Sequence, residues 1–163
     1  MISTKNWMTA TLGIVFFLTL SISMVQAEPF DFTICQSGTI SFLSTSEEMN
    51  FAAIEHRGIT MSNHPNMTFG NCSSHTVGVA RGPLAKPIGY GYLKLLDTDG
   101  DFVVAEVVGT PEEINLKFLQ GTGKWKGITG GGKGRQIARA KPLSPGTAHA
   151  CIRYTGTFEL PKK

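Results

Sequence analysis

The chain has 163 residues, with 15 Lys and Arg against 12 Asp and Glu, a formal charge of +3 with histidines neutral. That balance excludes a nucleic-acid binder that works through a strongly basic surface. The length suits a single domain preceded by a short leader, large enough to bury a core without disulfide staples.

The first 27 residues read as a secretory signal peptide. Lys5 is the one charge ahead of the apolar run Leu12 to Met24, and Val25-Gln26-Ala27 offers a small-residue cleavage site. The run is 13 residues long, against the roughly 20 that a membrane span needs. Cleavage after Ala27 leaves a domain of 28–163 bound for the periplasm or the medium, with no membrane attachment of its own. That domain keeps three cysteines, Cys35, Cys72 and Cys151, so an oxidising compartment permits one disulfide and leaves one thiol.

Helical signals are poor beyond the leader. Eighteen glycines fall in these 136 residues, and no 3.6-residue apolar period survives three turns without meeting Gly or Pro. Short β-rich runs recur instead. In chain order they are Phe32–Gln36, Thr39–Ser44, Asn50–Ser62, His75–Ala80, Ile88–Leu96, Asp101–Val108, Ile114–Gln120, Lys124–Ile128, Arg135–Ala140 and Ala148–Leu160. Turn residues punctuate them, including Asp99-Gly100, Gly109-Thr110-Pro111 and Gly130-Gly131-Gly132. Glu28–Pro29 and the last three residues read as frayed ends.

Such a series predicts an all-β domain, a single antiparallel up-and-down β-barrel of about eight strands. Closure removes both sheet edges, and glycine eases the bending that closure needs. It also makes the first and last strands neighbours, which favours Cys35 with Cys151 as the disulfide.

One stretch carries a resemblance. Gly-Tyr-Gly-Tyr at 89–92, Asp-Thr-Asp-Gly-Asp at 97–101 and Phe-Leu-Gln-Gly-Thr-Gly-Lys-Trp-Lys-Gly-Ile-Thr-Gly-Gly-Gly at 118–132 resemble small exported bacterial proteins of unassigned function. Members of that group carry cysteines at the positions of Thr76 and Leu93. More distantly, the 118–130 segment is similar to allene oxide cyclases and dirigent proteins. That similarity implies a β-barrel with a central cavity, and no catalytic residue of theirs maps onto this chain.

The chemical motifs are few. Asp97, Asp99 and Asp101 crowd one turn, but the spacing is not that of an EF-hand, and Asp-Gly between strands is a hairpin signal. Gly127 to Lys133 copies seven P-loop positions, but Gly134 replaces the Ser or Thr and no helix follows. The four histidines show no metal spacing, no serine sits in a nucleophile elbow, and no cofactor is implied. Acids concentrate in 95–116 and bases in 117–141, which suits pairing across adjacent strands.

Tyr90, Tyr92 and Trp125 are the aromatic candidates for a ligand site, with core packing as the plainer role. Glu106, Arg139 and Arg153 are charges within β runs, where an inward position demands a partner or a ligand. The leading expectation is therefore a binding module for a small, mostly apolar molecule. The alternatives are a cyclase- or isomerase-type barrel enzyme and a solid-cored structural or interaction protein. A cavity of roughly 300 Å³ or more with convergent polar groups separates the first two from the third.

Overall fold

The computed structural model describes residues 26–46, 49–83 and 85–162. The expected leader, apart from Gln26 and Ala27, lies outside the described residues. The eight strands are β1 (Glu28–Thr45), β2 (Asn50–Ser62), β3 (Ser73–Gly82), β4 (Ile88–Leu96), β5 (Phe102–Gly109), β6 (Ile114–Gly121), β7 (Thr129–Ala140) and β8 (Thr147–Glu159). Each pairs antiparallel with the next, and β8 returns to β1, so the sheet closes as an up-and-down barrel. The described residues contain no α-helix, only one 3-10 turn at Gly123–Trp125.

Local departures from the sequence expectation have physical reasons. The two runs expected at Phe32–Gln36 and Thr39–Ser44 are one strand of 18 residues. Ser37-Gly38 does not break it. A Cβ at Gly38 would collide with the Glu55 carbonyl and the His56 ring, so glycine there lets β1 and β2 approach closely. Glu28 and Pro29 are not frayed: they pair with Phe158 and Thr157. Lys124–Ile128 is not a strand. Gly123 (φ +49°) and Gly127 (φ +79°) allow a tight turn, and the Trp125 amide donates to the Thr122 carbonyl at 2.8 Å. Gly130-Gly131-Gly132 lies inside β7, where a Cβ at Gly132 would meet the Thr155 carbonyl and come within 2.8 Å of Gly156 Cα.

Alternation then sorts side chains to two faces. Phe30, Phe32 and Ile34 of β1, Leu93 and Leu95 of β4, Val103 and Ala105 of β5, Leu116 and Phe118 of β6, and Tyr154 and Phe158 of β8 point inward and are buried. These residues fill the end of the barrel that carries the β2–β3, β4–β5 and β6–β7 connections. Phe69, from the β2–β3 loop, sits at its centre. Its ring contacts those of Phe30, Phe32, Phe118, Trp125 and Phe158 at centroid distances of 4.8 to 5.7 Å. The loop holds Phe69 at φ +56°, a conformation that costs a bulky residue free energy. Burial of the ring and hydrogen bonds from Thr60 offset that cost: the Thr60 hydroxyl donates to the Phe69 carbonyl (2.5 Å) and accepts from the Cys72 amide (2.8 Å).

Cys35 and Cys151 are direct cross-strand partners on β1 and β8 and form the disulfide. It spans 116 residues of sequence and staples the seam that closes the barrel. A bond of this kind belongs in an oxidising, extracytoplasmic environment. Cys72 is free and buried.

Two stability outcomes follow from this architecture. Phe69→Ala empties the middle of the aromatic cluster and is expected to cost about 3–5 kcal/mol in urea unfolding. Replacing Cys35 and Cys151 together by Ala is expected to cost about 2–4 kcal/mol, with the same far-UV spectrum, because the seam's backbone ladder stays intact.

Candidate functional site

The opposite end of the barrel is not filled. It carries the β1–β2, β3–β4, β5–β6 and β7–β8 connections, and there the inward positions of β3, β4 and β5 include Gly78, Gly89, Gly91 and Gly109. With no side chains at these positions, a cavity of about 250 Å³ remains. Ile40, Ile54, Val107, Ile114 and Ile152 give it apolar walls, and Tyr154 lies where it meets the packed half. Pro87, Thr110 and Pro111 border its mouth.

A few polar groups converge on this space. Gln36, His56 and Thr76 come from three adjacent strands. The Gln36 amide is 3.4 Å from His56 Nδ1, and the Thr76 hydroxyl donates to Gln36 Oε1 at 3.4 Å. If the Gln36 amide nitrogen donates to Nδ1, the proton of neutral His56 is on Nε2. That Nε2 is buried and has no partner among the described residues, and the same holds for Nε2 of His149. Burial, helped by the neighbouring His149, holds the His56 pKa below its ordinary value, so the ring is neutral at pH 7. Burial pushes the Tyr154 phenol upward, so it stays protonated. Gln136 and Arg139 complete the polar edge on β7.

The residues singled out from sequence are distributed between several places. Arg139 borders the cavity. Tyr90 and Tyr92 alternate with the inward Gly89 and Gly91, so their rings stand on the outer face of β4, 44% and 42% exposed. Glu106 is opposite Tyr92 on β5. The Tyr90 hydroxyl donates to Glu106 Oε1 at 3.0 Å and lies 3.0 Å from the Tyr92 hydroxyl. Those contacts, Tyr92 first and then Glu106, raise the Tyr90 pKa. Tyr90 thus borders the cavity only through its main chain. Arg153 is on the outer face of β8 and forms a two-pronged pair with Asp31. Glu106, Arg139 and Arg153 do not meet inside the barrel.

Trp125 belongs to the packed end. It stacks on Phe69 (4.8 Å) and donates from Nε1 to Asp97 Oδ2 at 2.9 Å. The Asp97 carboxylate, 7% exposed, also accepts from the amides of Asp99 (2.9 Å) and Asp101 (3.0 Å) and pairs with Lys124 Nζ at 2.9 Å. Lys124 bridges on to Asp99 at 2.6 Å, and Asp101 accepts from the Lys124 amide. The acidic turn and the Gly-Thr-Gly-Lys-Trp turn are therefore one structural knot. Among the described residues, no three metal-ligating side chains come together.

Sequence reasoning missed Gln36, His56, Gln136 and Tyr154. The available signal was phase: Gln36 is two residues after inward Ile34, and Tyr154 is four before inward Phe158.

No family model and no curated protein matches this chain. Solved structures do. The pterocarpan synthase dirigent protein PsPTS1 superposes with a TM-score of 0.51 at 10% identity, covering 85% of this chain and 97% of that one. The pterocarpan synthase dirigent protein GePTS1 superposes at 0.52 and 7% identity, covering 86% and 90%. The fold is dirigent-like.

The knot gives a pH-dependent outcome. Burial acts to raise the Asp97 pKa, but hydrogen bonds from Lys124, Trp125 and two amides prevail and hold it below the ordinary 3.8. A depressed carboxyl contributes stability that is present above the unfolded pKa and lost as pH falls through the folded one. Asp97→Asn is expected to cost about 1–3 kcal/mol at neutral pH and to flatten the loss of stability below about pH 4, as read from urea midpoints across pH.

Proposed function

We propose that this protein is an exported binding protein that holds a small, mostly apolar molecule in the open half of its barrel. The observation that carries this reading is the asymmetry of the interior. One end is packed by seven aromatic rings, whereas the other has glycine at four inward positions and a cavity of about 250 Å³ among isoleucine and valine side chains. Apolar walls with a few polar groups at one edge are the usual composition of a small-molecule site. The volume is just below the range of roughly 300–1,000 Å³ for drug-sized ligands, so the occupant is compact. Export is supported by the signal-peptide-like sequence pattern of residues 1–27 and by the Cys35–Cys151 bridge.

A second reading is a cyclase- or isomerase-type barrel. Neutral His56, backed by Gln36 and Thr76, could orient or deprotonate a bound substrate. The resembling structures are named as pterocarpan synthases. The discriminating measurement is chemical change of the bound molecule on incubation, with loss of that change in His56→Ala.

The test uses protein purified from its own producing cells and analysed by native mass spectrometry. The expected result is a co-purifying small molecule in substoichiometric or full amount. Gly89→Leu is the control. A Cβ at Gly89 has no heavy atom closer than 3.7 Å, so the new side chain extends into the cavity. That variant is expected to lose the adduct and to be more stable by about 0.5–2 kcal/mol. An adduct retained at wild-type level in Gly89→Leu counts against the cavity as the site.

A further inference from the structure

Strand β7 contains a bulge whose consequence reaches the cavity. Arg135 pairs with Arg153 and Gln136 with Ile152, but Ala138, not Ile137, pairs with Cys151. Ile137 is the extra residue. Strict alternation from Arg135 would turn Ile137 and Arg139 to the outer face, where Arg153 binds Asp31. The inserted residue shifts the phase by one. Arg139 therefore pairs with Ala150, which stands two and four residues from inward Ile152 and Tyr154, and it borders the cavity. Bulges next to binding sites commonly re-aim a side chain in this way.

The electrostatics of the wall are one-sided. Among the described residues, the cavity is bordered by no Asp or Glu, and Arg139 has no ion pair there. Among the described residues Arg57, Lys124, Lys133 and Arg153 have carboxylate partners, whereas Arg139, like Arg135 and several surface lysines, has none, and of these unpaired cations Arg139 is the one that borders the cavity. A permanently charged, fork-shaped donor at the rim of an apolar pocket matches the planar geometry of a carboxylate.

We infer that the ligand of this cavity is a compact apolar molecule with one anionic group, a carboxylate in chemistry, anchored by Arg139 at the rim with its apolar body directed toward Tyr154. This deepens the binding reading and rests on it. Arg139 then acts as the specificity residue, and the Ile137 bulge as the device that positions it.

The probes are octanoate and 1-octanol, which share a chain length and differ in the head group. Their binding to the full-length mature protein is measured by calorimetry and by NMR shift changes of the cavity-lining amides. Octanoate is expected to bind about 10-fold more tightly than 1-octanol. Arg139→Gln should erase that preference and leave 1-octanol affinity unchanged, and Arg139→Lys should restore it in part. Deleting Ile137 should act like Arg139→Gln. Should that deletion fail to fold, the exposed-rim variant Arg139→Gln decides alone. Equal binding of the two probes, unaltered by Arg139→Gln, would overturn the anion assignment while leaving apolar binding intact. Absence of binding by both, with shifts also absent in Gly89→Leu, would instead sink the binding reading itself.

Discussion

Closure of the sheet between β1 and β8 is the constraint on which the rest depends. Twelve residue pairs from Glu28–Phe158 to Thr39–Thr147 make that seam, and a disulfide sits within it. An open eight-stranded sheet would leave two edges with unpaired backbone groups. Closure satisfies both and at the same time creates an interior that must be either filled or left hollow. β1 meets both partners from Phe32 to Thr39, which is why it runs unbroken through Ser37-Gly38.

The interior takes both solutions, one at each end. Phe69 enters the packed end from a loop and completes an aromatic cluster, and Asp97 gathers the two adjoining turns through Lys124, Trp125 and two backbone amides. This rigid base leaves the other end free to be glycine-lined. The same residue type has two uses here. Gly78 and Gly91 are required by close backbone approach, since a Cβ at either would meet a facing carbonyl of the adjoining strand. Gly89 has room for a side chain and none is present. A position that could hold a methyl group without strain, left empty beside a cavity, is consistent with selection for space over packing.

The charge pattern divides in the same way. The acidic segment 95–116 and the basic segment 117–141 meet in the Lys124–Asp97, Lys124–Asp99 and Lys133–Glu113 pairs, which are structural. Tyr90, Tyr92 and Glu106 form a hydrogen-bonded group on the outer wall. What these pairings leave at the cavity is a neutral histidine, amide and hydroxyl groups, and the guanidinium of Arg139. That residue set suits recognition of a polar head on an apolar body more than it suits general acid–base catalysis by paired carboxylates.

The sequence by itself determined the all-β class and pointed to the closed antiparallel barrel, which favoured Cys35 with Cys151 among three possible pairings; the structure decided that pairing. Turn residues and period-2 runs are local signals, and closure brings the first and last strands together whatever their side chains. Only the tertiary structure decided which face of each strand looks inward. In β4, Gly89, Gly91, Leu93 and Leu95 share one face and Tyr90, Tyr92, Lys94 and Leu96 the other, and β5 is apolar on both faces except for Glu106, so pattern alone leaves the phase open. Interior space resolves it: close strand packing takes Gly91 inward, Gly89 follows in phase, and Tyr90 and Tyr92 turn out. Nor does any local signal reveal the Ile137 bulge, because a one-residue shift exists only relative to the facing strand. That shift, set by pairing with β8, brings Arg139 to the cavity.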